Sequence, residues 1–392
     1  MKVALVASSF LPRRGGVEEH VANVAVGLVA HGHQVVIWSV DQGDVVESHH
    51  RGIPIRYLPA PLPSSSISGL AHFARSSMGA RRAWRNAFED DRPDVINIQC
   101  FGPNGVYAGN LAHRFSVPLV YSAHGETFMD SDRIFDRSLV LRTQLSKTLR
   151  RASTVTACSV FAARDLSRFG GRPSTVRVVP NGIDLNEHVG SLPSDLASQD
   201  YILGLGRLVS VKGFSRLIDA YAELSRDARL DVDLVIAGDG PERAALEAHA
   251  DLRGVSDRVH FTGGLDRPRV GAVMAGARVL VVPSEVEAFG ITILEGWRAG
   301  VPVISGDRGG PSEFIADGVN GILVDPSSVS AISRAINEIL ENPSRAAAIA
   351  DAGWRTVVGF TWERTARIYE QIYAELTALD EATRARATGD HR

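Results

Sequence analysis

Between Ala277 and Gly300 the chain changes its period. Ala277-Arg-Val-Leu-Val-Val-Pro283 is an apolar run of strand length, and after Phe289-Gly290 the apolar residues fall at Ile291, Leu294 and Trp297, a helical spacing. A buried strand that passes through a short loop into a helix is the repeating unit of an open α/β sheet. The junction is also an anion site, because free amides and the positive end of the helix dipole point into the loop. Two carboxylates bracket it, Glu287 in the loop and Glu295 inside the helix. Amides for a phosphate and carboxylates for hydroxyls suit a sugar nucleotide.

At 392 residues the chain is long enough for two domains, each with its own core. A hydrophobic share of 44% and a charged share of 22% are those of a soluble globular protein, and a net charge of −3 gives no signal for a nucleic-acid partner. Cys100 and Cys158 lie in apolar, strand-like runs without metal-ligand spacing. They read as reduced core thiols of a cytoplasmic protein. Met1 to Ser8 runs into a polar, Gly-rich loop, unlike a signal peptide, and no apolar run approaches the roughly 20 residues that span a bilayer.

The rest of the chain repeats the strand–loop–helix theme. Lys2 to Ser8 reads as a first strand, and Gly15-Gly16 stands where the next loop becomes a helix. Glycines there let backbone approach a ligand, although a plain strand-to-helix turn would use them too. The G-x-G-x-x-G spacing of a dinucleotide site is absent, which disfavours a nicotinamide dehydrogenase. Strands follow at 33–40, 52–58, 94–99, 118–126 (ending in a polar corner), 154–159 and 176–179. A helix over 69–90 carries Arg75, Arg81, Arg82 and Arg85, which reads as a solvated basic face with a weak peripheral membrane contact as the alternative. Another helix is expected over 136–151. His124 and Glu126 fall at the C-terminal end of their strand, where open parallel sheets bind ligands.

Pro180-Asn-Gly-Ile-Asp184 is a turn by composition, and 185–200 lacks periodicity and reads as a linker. Alternation restarts at Tyr201. Arg207 and Lys212 bracket the next strand-to-helix loop, and two cations at a helix N-terminus suit a diphosphate. Pro241 is expected as the first residue of a helix, and Thr361-Trp362 as the start of the last one.

Taken in order, Gly15-Gly16, His124-Gly125, Pro180-Asn-Gly-Ile-Asp184, Gly206-Arg207 with Lys212-Gly213, Gly238-Asp-Gly-Pro241, Glu287-x7-Glu295 and Gly309-Gly310 resemble the retaining glycosyltransferases of family 4. The resemblance covers nearly the whole chain. It implies the GT-B fold: two Rossmann-like α/β domains facing across a cleft, here 1–184 and 201–360 with the linker 185–200, and a C-terminal helix, 361–392, that crosses back to the first. It also implies donor binding by Gly15, Gly16, Arg207, Lys212, Gly264, Leu265, Glu287, Ala288, Phe289, Gly290, Ile291, Thr292 and Glu295. Within that set Arg207 and Lys212 hold the diphosphate, Glu295 the ribose hydroxyls, and Glu287 with the amides near Phe289-Gly290 the sugar. Backbone near Gly264 and Leu265 faces the base. His124, Glu287, Arg207 and Lys212 are the implied catalytic set. Glu126 and Asp130 are acceptor-side candidates, Glu126 also as a nucleophile.

The implied reaction moves a hexose-type sugar from a UDP- or GDP-sugar to a hydroxyl of a glycan, glycolipid or small molecule, without metal or cofactor. Nucleotide-sugar epimerases and phosphorylases share the fold, and a catalytically silent sugar-binding protein is the non-enzyme alternative. Trp297 stands where the helix after Glu295 often carries a smaller side chain, and reads as core packing.

Overall fold

The computed structural model describes residues 1–389 except 14, 44–46, 64–66, 131–133, 193–199 and 227–230. The chain forms two compact units. One comprises Met1–Asn181 with Trp362–Arg392, the other Gly182–Thr361.

In the first unit the elements are β1 (Lys2–Ala7), α1 (Gly16–Ala30), β2 (Gln34–Val40), β3 (His49–His50), β4 (Ile53–Leu58), α2 (Ile67–Asp91), β5 (Val95–Gln99), α3 (Pro103–Phe115), β6 (Leu119–Ala123), α4 (Ile134–Arg137), α5 (Leu139–Arg151), β7 (Thr154–Ala157), α6 (Val160–Asp165) and β8 (Arg177–Val178). The sheet order is β3-β4-β2-β1-β5-β6-β7-β8. All pairings are parallel except the short β3 against β4. Strands buried on both faces explain the unbroken apolar runs of β1 and β2.

The helix expected over 136–151 is two helices. Ser138 leaves helical geometry (φ −100°, ψ 100°) and its hydroxyl accepts the amide of Leu141 at 3.3 Å, so it caps α5 and separates it from α4.

In the second unit the elements are β9 (Tyr201–Leu205), α7 (Phe214–Leu224), β10 (Asp233–Ala237), α8 (Arg243–Arg253), β11 (Val259–Gly263), α9 (Arg267–Ala275), β12 (Val279–Val282), α10 (Ile291–Arg298), β13 (Val303–Gly306), β14 (Ile322–Val324), α11 (Val329–Glu341) and α12 (Pro343–Val357). The sheet order is β11-β10-β9-β12-β13-β14, all parallel. Pro241 lies in a turn before α8 rather than at its first position. The Glu242 amide donates to Leu208 O (3.1 Å), which ties the turn to the loop after β9 and delays the helix to Arg243. Of the stretch read as a linker, 193–199 lies outside the described residues, and the rest belongs to the second unit.

The last helix, α13 (Trp362–Gly389), belongs to the first unit. Tyr369, Ile372 and Tyr373 enter the core formed by β1, β2 and α1. A Cβ on Gly27 of α1 would come within 2.6 Å of the Ala366 Cβ, so the two helices meet at a position that admits no side chain. Two tyrosine hydroxyls extend a buried polar chain under β5–β7. Asn97 Nδ2 donates to Tyr373 Oη (2.6 Å), Ser122 Oγ to Asn97 Oδ1 (3.0 Å), and Tyr369 Oη to Ser122 Oγ (3.2 Å). Satisfying these groups together fixes α13 in register on the sheet.

Candidate active site

In an open parallel sheet the ligand crevice lies beyond the strand C-termini, at the point where strand order reverses. In the second unit that point is the β9/β12 pair, with α7 and α10 leaving on either side. Two glycines lock the loops there. Gly213, at φ 71°, closes the turn after Lys212, and a Cβ on it would lie 2.1 Å from Pro283 O. Gly309, at φ 123°, comes so near the Glu287 backbone that its Cβ would lie 2.0 Å from Glu287 O. The Gly310 amide donates to Glu287 O (2.9 Å), and the Glu287 amide to Arg308 O (3.1 Å). The loop after β13 therefore fixes the carboxylate-bearing loop after β12. Phe289 anchors the same loop from beneath, packed on Phe314 and Phe360 at centroid distances of 5.2 and 6.1 Å.

On this frame Lys212 Nζ lies 2.5 Å from Glu287 Oε2, and Ser284 Oγ donates to the same oxygen at 3.3 Å. Glu287 is 8% exposed. Arg207 follows β9 and is exposed. Gly290 precedes α10, whose first-turn amides include Ile291 and Thr292, with Ala288 and Phe289 buried just before. Gly264 and Leu265 follow β11, with Gly264 exposed. Arg207, Lys212, Glu287 and the start of α10 thus all follow the C-terminal ends of the two central strands, β9 and β12.

Glu295 sits one turn into α10 and is buried. Burial raises its pKa, and Arg267 opposes the rise. Arg267 Nη1 donates to Glu295 Oε1, while its Nε and Nη2 bind Glu187 at 2.7 and 3.0 Å. Arg298 completes the group by donating to Glu187 Oε2 and to Asp184 O, the latter at 3.0 Å. No local motif foretells this pairing, since Arg267 and Glu187 lie 80 residues apart.

In the first unit the order reverses between β1 and β5. Gly16 opens α1 there, with Gly15 as its extended N-cap (φ −171°). His124, half-buried at the end of β6, presents Nε2 to Gln99 Oε1 at 2.7 Å. The amide oxygen can only accept, so the proton sits on Nε2 and Nδ1 is left as an acceptor. Burial holds the pKa of His124 well below the usual value, and His20 adds to the effect. The His20 ring lies 4.5 Å away, centroid to centroid. His20 Nδ1 meets Asn181 Oδ1 at 2.7 Å, which gives the Pro180–Asp184 turn a structural task. Neither His20 nor Gln99 was singled out from sequence; both lie in apolar runs where a polar side chain, once buried, needs a partner.

Both oxygens of Glu126 accept hydrogen bonds. One oxygen accepts the Phe101 amide (2.7 Å) and Tyr121 Oη (2.8 Å), and the other accepts the His124 amide (2.8 Å). These bonds brace the corner that carries His124. Asp130 Oδ2 accepts the Ile134 amide (2.7 Å) at the start of α4. Cys158 is buried; Cys100 is half-buried, at φ 66°, and burial pushes its thiol up. Trp297 is fully buried and donates to Asn320 O (2.7 Å).

Two doubly wound units of this kind define the GT-B class. Solved structures of that fold align over nearly the full chain. HepE from Anabaena, in complex with UDP, superposes with a TM-score of 0.76 at 22% identity, covering 96% of this chain and all of that one. Sucrose-phosphate synthase from Thermosynechococcus elongatus gives 0.79 at 22% identity, covering 96% and 99%. The chain belongs to the family 4 glycosyltransferases, matching Glycosyltransferase Family 4 over residues 14–187 and Glycosyl transferases group 1 over 195–355. Among its relatives is a GDP-mannose-dependent alpha-(1-6)-phosphatidylinositol monomannoside mannosyltransferase of Mycolicibacterium smegmatis. It is 29% identical over 379 residues, which is 90% of this chain and 95% of the relative. A GDP-mannose-dependent alpha-mannosyltransferase of Corynebacterium glutamicum is 29% identical over 395 residues, 97% and 90% respectively. The protein is a glycosyltransferase that uses a nucleotide sugar. No helix among the described residues is long and apolar enough to cross a membrane.

Proposed function

We propose that the protein is a retaining hexosyltransferase that takes mannose from GDP-mannose and places it on a hydroxyl of a glycan or glycolipid, without a metal ion. The observation that carries the proposal is the Lys212–Glu287 pair on the loops that follow β9 and β12, with Arg207 on the first of these loops and the N-terminus of α10 after the second. It joins cations for a diphosphate to a carboxylate for sugar hydroxyls. The choice of GDP-mannose rests on the two relatives named above, each matched over at least nine-tenths of its length.

As the C1–O bond to the diphosphate breaks, positive charge grows on the sugar and negative charge on the leaving phosphate. Arg207, Lys212 and the α10 amides stabilise the leaving group, the task a divalent ion performs elsewhere. The acceptor oxygen forms its bond to C1 on the same face, and its proton passes to the departing phosphate oxygen. This route needs no enzyme nucleophile, in keeping with a Glu126 whose oxygens are already engaged. His124, neutral with its proton on Nε2, offers hydrogen bonds and no charge. The acceptor is assigned to the first unit, at the His124–Glu126 corner.

The test is a thermal-unfolding panel with GDP, UDP, ADP and dTDP in EDTA, followed by the matching sugar nucleotides. A ligand at 100 times its dissociation constant adds about 2.7 kcal/mol. Stabilisation by GDP and GDP-mannose, and an α-linked product by NMR, is the expected result. A response to UDP alone would overturn the mannose donor. Turnover that requires phosphate, or isomerisation without an acceptor, would point to a phosphorylase or an epimerase.

A second observation bears on where the enzyme works. Arg75, Arg81, Arg82 and Arg85 are exposed along α2, and Met78 stands among them 76% exposed. A large apolar side chain framed by arginines favours contact with an anionic lipid surface over a purely solvated face. Sedimentation with phosphatidylglycerol vesicles at low salt is expected, and its absence removes this part of the proposal.

A further inference from the structure

Three members of the four-charge group around Glu295, namely Glu187, Arg267 and Arg298, lie outside the sequence motifs and need an explanation. Arg267 and Arg298 face Glu187 and Glu295, so two positive charges meet two negative ones. Three of the four side chains are well buried, with exposures of 7% for Glu295, 7% for Arg298 and 19% for Glu187. Arg267 spends all three of its nitrogens here: Nε and Nη2 fork onto Glu187, and Nη1 turns to Glu295 Oε1. Its backbone is equally fixed. It is the first residue of α9, and the preceding Asp266 caps that helix by accepting the Arg269 amide at 3.0 Å. Among the described residues, no hydrogen bond reaches the second oxygen of Glu295, Oε2.

We propose that Arg267 is the positioning residue for the donor's ribose: braced by Glu187, it holds Glu295 in place as an ionised carboxylate, so that both oxygens can accept the vicinal ribose hydroxyls. This rests on the donor-binding assignment of Glu295 made above. A carboxylate has about four acceptor sites over its two oxygens, so Oε1 can serve Arg267 and a hydroxyl together while Oε2 takes the other hydroxyl. A protonated carboxyl would instead present a donor to one of the two hydroxyls and lose the match. A buried carboxyl drifts toward that neutral form unless a cation faces it. The charged groups facing Glu295 are Arg267 from α9, Arg298 from its own helix and Glu187 from the segment before β9. Arg267 alone of these is both opposite in sign and hydrogen-bonded to it.

The alternative is a purely structural staple that ties residues 184–187 to α9 and α10. Ribose selectivity separates the two. The measurement is the dissociation constant of the full-length protein for GDP and UDP, each beside its 2′,3′-dideoxy analogue, at pH 7 and pH 9. The wild type should prefer the ribonucleotide at least tenfold at both pH values. Glu295→Gln should lose the preference at both. Arg267→Gln should lose it at pH 7 and recover much of it at pH 9, because the unshielded carboxyl ionises as pH rises. Arg267→Lys keeps the charge, so its preference should be reduced only a few-fold and should not change with pH. This variant also keeps the test open if Arg267→Gln does not fold. A wild-type preference retained in both Arg267 variants but lost in Glu295→Gln would overturn the role of Arg267 and leave the donor site standing. No preference in the wild type would overturn the ribose assignment of Glu295 and, with it, the role of Arg267.

Discussion

Lys212 and Glu287, 75 residues apart in sequence, close to 2.5 Å in the fold, and each is the other's ion-pair partner. A diphosphate that draws Lys212 toward itself releases Glu287 for a sugar hydroxyl, so the pair links the arrival of one half of the donor to readiness for the other. In Glu287→Gln the lysine has no rival anion. GDP should bind as tightly as in the wild type or up to about tenfold more tightly, while turnover falls by about a hundredfold, the scale of a lost transition-state hydrogen bond. Calorimetry and initial rates decide it, and unchanged turnover would sink the sugar-contact assignment.

Arg207 is exposed, so its removal leaves no buried charge unpaired. Arg207→Ala should fold with wild-type stability and lose about 2–4 kcal/mol of transition-state stabilisation. kcat/KM for the sugar nucleotide reads that loss. A variant with unaltered donor affinity and unaltered kcat/KM would free Arg207 of any role at the diphosphate.

His20 is buried, and desolvation lowers its pKa to about 4 despite the opposing hydrogen bond from its Nδ1 to Asn181 Oδ1. In the unfolded chain the same imidazole titrates near 6.5. Below that value the unfolded state takes up a proton that the folded state refuses, so stability falls as the pH drops from about 6.5 to about 4 and then levels off for this group. The loss should approach about 3 kcal/mol. Urea unfolding at pH 7 and pH 4.5 measures it. His20→Gln should flatten that part of the profile, and an identical slope in the variant would show that other groups set the acid limit.

A methyl group at Gly309 would lie 2.0 Å from Glu287 O, and φ there is 123°. Gly309→Ala should therefore move the backbone that presents Glu287, costing about 1–3 kcal/mol of stability. Turnover should suffer more than this stability loss explains, because the displaced residue is the proposed sugar contact. Thermal unfolding alongside kinetics at a temperature well below the transition separates the two effects. A fully active, merely less stable variant would mean that the loop tolerates the shift.

Much of this site is local, which is why it could be read early. The change of period at Phe289-Gly290 marks α10 because one face of a helix and a buried strand carry different spacings, and Trp297 announced itself as core in the same way. What stayed hidden depends on groups far apart in the chain. Arg267 was invisible as the partner of Glu295 because nothing in either neighbourhood requires the other. The three donors that converge on Glu126 come from Phe101, Tyr121 and His124, and nothing local in the sequence foretells that convergence. Pro241 suggested a helix start because propensity is local, whereas the bond from the Glu242 amide to Leu208 O belongs to the tertiary structure. The small polar residues of β5 and β6, Asn97 and Ser122, gave no sign that they await tyrosines from the far end of the chain.

That last dependence sets an order in time. The second unit is one continuous piece of chain, Gly182–Thr361, whereas the first lacks part of its core until Trp362 and the residues after it exist. During synthesis the N-terminal portion leaves the ribosome first yet should finish folding last, its sheet waiting with one face incomplete while its neighbour matures. A stop codon at 362 should then injure the half of the protein made earliest. Hydrogen exchange on such a truncated chain should find β1, β5 and β6 unprotected and β9 to β13 intact, and equal protection of both sheets would refute that order.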